Sequence, residues 1–212
     1  MRRIVIILTI SASLYPCFAG INGSVRIAAI RVSFLEDDSP GTTGNGSFLL
    51  NAPIDTCGRY TIDPVPHDRS YFESQLVAVN NYYRSVSYGK FSLDLDQSIV
   101  FPLSDNISYV LPKKMDYYHP YNQTDLHDQR VTELFRDAIE IAYNDDEIDF
   151  SNYDHVVVFH AGIGQDFSLP FLDPTPEDIP STFIDGDMLQ EYVGGMLQFG
   201  TATINQGIIL PE

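Results

Sequence analysis

The groups in this chain that could do chemistry are few, and their spacing rules out more than it rules in. A metal site of the His-Glu-x-x-His type needs its histidines one helical turn apart, with Glu as general base. Here the five histidines are followed by Asp68, Pro120, Asp128, Val156 and Ala161, so no His-Glu pair exists. His155 and His160 sit five apart in an apolar, strand-like run. An odd separation on a strand sends two side chains to opposite faces, which argues against joint ligation. His160 draws more interest: it precedes Ala161-Gly162-Ile163-Gly164, and α/β sheets bind ligands at the carboxyl ends of their strands. That Gly-x-Gly has neither the third glycine nor the helix start of a dinucleotide fingerprint.

Carboxylates are the other resource. Asp166, Asp173, Asp178, Asp185 and Asp187 are spread through one loop-rich region. Hard oxygen ligands of this kind suit calcium, and Asp166, Asp173, Asp185 and Asp187 are the candidate ligands, although their spacing matches no EF-hand. The competing reading is that they are solvated loop acids. Nothing selects a carboxylate pair for glycoside hydrolysis, no Gly-x-Ser-x-Gly elbow occurs, and Cys57 has no flanking signature of a thiol nucleophile.

The amino terminus reads as a secretory leader. Arg2 and Arg3 precede an apolar run from Ile4 to Leu14, and Pro16-Cys17-Phe18-Ala19 offers a cut after Ala19. That run is shorter than the roughly 20 residues a membrane span needs. Residues 1–19 are thus expected to be removed and 20–212 to form one exported domain. The formal net charge is −17, and loss of Arg2 and Arg3 makes it more negative. Such a surface repels phosphate backbones and anionic lipids, which disfavours nucleic-acid and membrane-surface partners. Only Cys57 survives cleavage, so no internal disulfide is expected. It is either a buried thiol or a partner for a cysteine further along a longer chain. Asn22, Asn45, Asn106 and Asn122 each begin an Asn-x-Ser/Thr triplet.

The elements that must position these groups follow from periodicity. Val25 to Phe34 is almost continuously apolar, the pattern of a strand buried on both faces. A long stretch, 36–69, rich in Gly, Thr, Asn and Pro, comes next and is expected to have a function of its own. Ser70-x-x-Glu73 reads as a capping box opening a helix, with Phe72, Leu76, Val79, Tyr83 and Val86 as one apolar stripe and Gly89 as its stop. Phe91, Leu93 and Leu95 alternate with polar residues as a half-exposed strand. Residues 102–120 are turn-like. A second helix is expected from about Asp125 to Tyr143, with Val131, Leu134, Phe135, Ala138 and Ala142 facing inward. Asp145, Asp146 and Glu147 then fall at its negative pole, an unfavourable position unless solvated or metal-bound. Tyr153 to His160 is a second buried strand. Residues 183–199 are ambiguous between helix and loop, because Gly194 and Gly195 weaken the helical pattern. Thr203 to Leu210 reads as a last strand. This order predicts an α/β or α+β fold with one sheet and two main helices.

Two segments together resemble a known family. Asn81-Tyr82-Tyr83-Arg84-Ser85-Val86-Ser87-Tyr88-Gly89-Lys90-Phe91 resembles the helix-to-strand segment of the immune inhibitor A family of secreted zinc metallopeptidases. Phe150-Ser151-Asn152-Tyr153-Asp154, followed by Val156–Val158 and His160-Ala161-Gly162, is similar to that family's next strand. Asp173 to Pro180 and Ile209-Leu210-Pro211-Glu212 are similar to stretches of some bacterial members, so the likeness spans roughly residues 24–212. The resemblance implies a zincin-like amino-terminal subdomain, a twisted mixed sheet that carries its helices on one side and whose outer antiparallel strand binds extended peptide or protein substrate. Thr203 to Leu210 is expected to be that strand or to lead to it, with Asn205, Gly207 and Ile208 along the substrate. The family's zinc-binding helix comes later in the chain, so no catalytic residue is carried over. On this expectation zinc belongs to the full-length protein, which includes a carboxyl-terminal half, and this chain alone is inactive. The alternative expectation is a secreted acidic module that binds calcium or glycan without catalysis.

Overall fold

The computed structural model describes residues 22–51, 64–166 and 173–212. The expected leader, both cysteines and most of the stretch from Asn51 to Pro64 lie outside them. The first apolar run divides into β1 (Gly23–Val25) and β2 (Ile27–Ser33), and every residue of β2 is buried. It sits inside the main sheet. β4 (Ile99–Phe101) and then β5 (Tyr109–Val110) pair with one of its sides, and β6 (His155–His160) with the other, all parallel. β10 (Gly207–Pro211) adds parallel to β6, and β7 (Thr182–Ile184) closes the order antiparallel to β10. Two small ribbons stand apart: β1 with β3 (Phe91–Leu93), and β8 (Leu197–Phe199) with β9 (Ala202–Ile204). The fold is mixed α/β of the α+β type, with one large sheet and two accessory ribbons rather than a single sheet.

Among the described residues four helices serve this sheet, and the two long ones lie on opposite faces rather than on one side as the resemblance implied. α1 (Arg69–Val86) begins earlier than the expected capping box. Asp68 is the cap, and its Oδ1 accepts from Tyr71 N at 3.1 Å and from Ser70 Oγ at 2.8 Å. An aspartate competes well for the orphan amides of a first turn. Glu73 instead meets Arg69 at 2.8 Å, one turn back. The expected apolar stripe is only half used: Phe72 and Leu76 are buried, while Val79, Tyr83 and Val86 are 41–53 % exposed. The second half of α1 has left the main sheet and lies over the small ribbon, where Asn80 Oδ1 accepts from Leu93 N at 2.9 Å.

α2 (Met115–Tyr118) is a single turn within the stretch read as turn-like. α3 (His127–Asp146) follows a 3-10 turn at Thr124–Leu126, and its inner face is the expected one, extended by Thr132 and Ile139. Asp146 accepts from the Tyr109 hydroxyl, and Glu147 takes the left-handed turn that ends the helix. The short α4 (Gly186–Tyr192) resolves the ambiguous stretch, capped by Asp185 and ended before Gly194 and Gly195, both at positive φ.

The last segment departs most from expectation. Thr203 to Leu210 is not one strand: Ala202–Ile204 turns back on β8, and a separate β10 begins at Gly207. Nor is β10 an edge. Ile208 pairs with Val157 on one side and Phe183 on the other. A Cβ on Gly207 would lie 2.3 Å from Phe135 Cζ and 2.9 Å from the Val156 carbonyl, so only glycine lets α3 press this close to the sheet. The assignment of Asn205, Gly207 and Ile208 as a substrate edge is therefore corrected. Asn205 is in the turn before β10, and the open edge belongs to β7.

Candidate functional site

Two places gather groups that could act: the open edge at β7, and the carboxyl ends of the central parallel strands. At the edge, no strand pairs with the outer side of β7 among the described residues. Phe183 and Ile208 are direct cross-strand partners, and both side chains are exposed, at 56 % and 39 %. Their face of the sheet is the one that α1 covers further along, through Phe72 packed 4.7 Å from the Phe159 ring. Toward β10 and β7 that cover stops among the described residues. The result is an apolar strip beside a free strand edge, a combination suited to taking an extended segment by strand addition.

At the carboxyl ends, Glu212 reaches back from the end of β10 and ties three segments together. Its Oε1 accepts from Leu49 N at 2.5 Å and lies 2.7 Å from His67 Nδ1, while Oε2 accepts from Gly162 N at 3.0 Å. His67 stacks on Tyr71 with ring centroids 4.2 Å apart. Gly162 and Gly164 serve this closure rather than a phosphate. Gly162 has φ 92°, and a Cβ on it would meet Met115 Cε at 2.6 Å, while one on Gly164 would meet Pro211 Cγ at 2.6 Å.

His160 ends β6 completely buried, with Nδ1 2.9 Å from the Ala161 carbonyl and its ring 6.0 Å from that of Phe34. Burial holds its pKa below the ordinary imidazole value, opposed by the Ala161 and Ile179 carbonyls. His155, at the other end of the strand, is exposed. The two histidines are separated along the strand as well as by face. His119 is buried with its ring centroid 3.9 Å from that of His127, the two rings tilted by 40°, and burial first, then the neighbouring ring, push it down to about 4.

The aspartates named for calcium have separate duties. Asp166 accepts from Ser181 N and Oγ, both at 2.7 Å, and Asp173 from Gln165 Nε2 at 2.7 Å and Thr175 N at 3.0 Å. Asp185 caps α4 by accepting from Asp187 N and Met188 N, and Asp187 stands in that first turn. Asp178 is buried and accepts from Thr43 N at 2.6 Å and Thr43 Oγ1 at 2.5 Å. Among the described residues, no three His, Cys, Asp or Glu side chains gather where a metal ion could be held.

Sequence reasoning missed the Glu212–His67 clasp and the β7 edge. The first joins residues 145 positions apart, and the second depends on strand order. The four Asn-x-Ser/Thr asparagines, Asn22, Asn45, Asn106 and Asn122, are all exposed. Among the described residues no helix is long and apolar enough to cross a membrane. Comparison with protein-family models, curated proteins and solved structures finds no match to this chain.

Proposed function

We propose that this chain forms the amino-terminal, substrate-holding part of the catalytic unit of an exported zinc endopeptidase similar to the immune inhibitor A family. The observation that carries this reading is the sheet order β4-β2-β6-β10-β7, parallel except for an antiparallel outer strand. An outer strand of that polarity offers its free amides and carbonyls to an extended peptide, while Phe183 and Ile208 offer apolar contact beside it. The same exposed strip supports a helix packing next to β10 on the α1 side of the sheet. In this reading that helix follows β10 and holds the zinc, which polarises a scissile carbonyl and activates water in such enzymes. The histidines described here do not fit a zinc ligand set. His155 and His160 stand at opposite ends of β6, His67 is engaged by Glu212, and the His119 ring lies tilted against that of His127. No hydrolytic step is assigned to them.

Two measurements test the reading. An extended apolar heptapeptide, titrated into the chain, is expected to shift the amide resonances of Thr182, Phe183 and Ile184; shifts confined elsewhere overturn the edge assignment. Transcript sequence beyond the Glu212 codon is expected to encode an in-frame His-Glu-x-x-His. The joined product is then expected to cleave casein in a chelator-sensitive way, and a joined product without that activity overturns the peptidase reading.

A further inference from the structure

A cavity of about 280 Å³ opens beside the carboxyl end of β2, away from the β7 edge, with Arg31, Ser33, His67, Asn106 and Ser108 in its wall. Its size is close to the lower bound of roughly 300 Å³ for small-molecule pockets. Arg31 is the charged group at its inner end. It is 1 % exposed and points toward the α1 side of the sheet, between the strand and the loop after β4. Nη1 donates to the Asp105 carbonyl at 2.8 Å, and Nη2 to the carbonyls of Pro102 and Ser104 at 2.9 and 2.6 Å. Nε has no partner. Among the described residues, no carboxylate lies within ion-pair distance of this guanidinium. Burial, with Arg69 nearby, lowers its pKa to about 10, offset in part by the more distant Asp68 and Asp105, so the group stays cationic at neutral pH.

A buried charge without a counter-charge is costly, and carbonyl dipoles alone seldom repay its lost hydration. Beside that charge the cavity presents further hydrogen-bonding groups. Ser108 Oγ donates to Ser33 Oγ at 2.9 Å, and Ser33 Oγ donates on to the Tyr109 carbonyl at 3.5 Å, while His67 holds a buried Nε2 with no partner among the described residues and its Nδ1 faces Glu212. Glu212 already answers His67, which leaves Arg31 as the unanswered charge. We propose that this cavity binds a small oxyanion, a carboxylate or phosphate group, which supplies the counter-charge to Arg31.

The test is a titration of the purified chain with inorganic phosphate and, separately, with acetate, each against sodium chloride of equal ionic strength. Readouts are the thermal midpoint and the amide resonances of Ser33, Ser47 and Ser108. Saturable shifts in those residues, with apparent affinity about tenfold or more above chloride, are expected from a ligand that binds only the folded state. Response to phosphate alone marks a phosphate site and response to acetate a carboxylate site; either supports the proposal. Ile107→Trp, at an exposed loop position in the cavity wall, fills the space without touching the carbonyls that hold Arg31. It is expected to abolish the response while leaving the midpoint in chloride unchanged. Arg31→Gln is expected to abolish it too, whatever its effect on the midpoint. Equal shifts with chloride, or a response retained in Ile107→Trp, overturn the proposal and leave Arg31 as a fastener of the 102–105 loop.

Discussion

The two faces of the main sheet are covered by helices of similar length, 20 residues in α3 and 18 in α1, yet they are finished very differently. On the α3 face, Leu134, Phe135, Ala138, Ile139 and Ala142 are wholly buried against Ile30, Val158 and Ile209, also wholly buried. On the α1 face, Phe72 and Leu76 close over Ala29, Val157 and Phe159, but nothing described covers Phe183 and Ile208. The difference shows that an amphipathic helix does not reveal how much of a sheet it shields. α1 spends its second half on the β1–β3 ribbon, where Tyr83 meets Phe91 with rings 5.4 Å apart. The closed face holds the fold together, and on the other Phe183 and Ile208 stay exposed among the described residues.

This contrast can be broken by substitution. The largest effect is expected from Phe135→Ala, at about 3–5 kcal/mol of lost stability in urea unfolding, because its ring is wholly buried and seated over Gly207. Phe72→Ala is expected at the low end of the same range; a larger loss there than at Phe135 would reverse the ranking of the two faces. Gly207→Ala is expected to cost about 1–3 kcal/mol by overpacking, and combining it with Phe135→Ala should recover part of that loss, since the new methyl would occupy vacated space. Asp68→Ala, on the α1 side, should cost about 1 kcal/mol through loss of the helix cap. Phe183→Ser and Ile208→Thr are expected to stay within about 0.5 kcal/mol of the parent, while weakening binding of the heptapeptide at the β7 edge.

Acid should act through the closed side as well. His119 is held down to about 4 from its ordinary 6.5, so the unfolded chain takes up this proton first. Its contribution to stability is full above pH 6.5 and is lost as pH falls toward 4. His160, held down by burial in the same direction, adds to the decline. A His119→Gln variant is expected to show a flatter stability profile across that window in urea titrations at stepped pH. An unchanged slope would show that His119 is not buried as a neutral ring.

Much of the local structure was readable residue by residue. The unbroken apolar runs before Phe34 and before His160 became β2 and β6, because a strand with helices on both faces has no polar side to show. The inner face of α3 was readable because Val131, Leu134, Phe135, Ala138 and Ala142 keep helical spacing. The start of α1 was misread because Asp68 and Ser70 are both good caps, and only the hydrogen bond to Tyr71 N decides between them. β4, β5 and α2 were not foreseen, since two to four residues carry too little periodicity to stand out. Of the candidate site, the placement of His160 at a strand end was legible, and the identity of the open edge was not.

By itself the chain of residues determined which stretches extend or coil, which helix face seeks the core, and that His155 and His160 cannot point the same way. Those outcomes rest on local geometry, the 3.6-residue turn of a helix and the two-residue alternation of a strand. Only the tertiary structure decided that β10 is interior and β7 outermost, that Glu212 answers His67, and that Arg31 is buried without a carboxylate. Each of these joins residues far apart in the chain, where the balance between pairing, close approach and desolvation is set by neighbours that local pattern does not name.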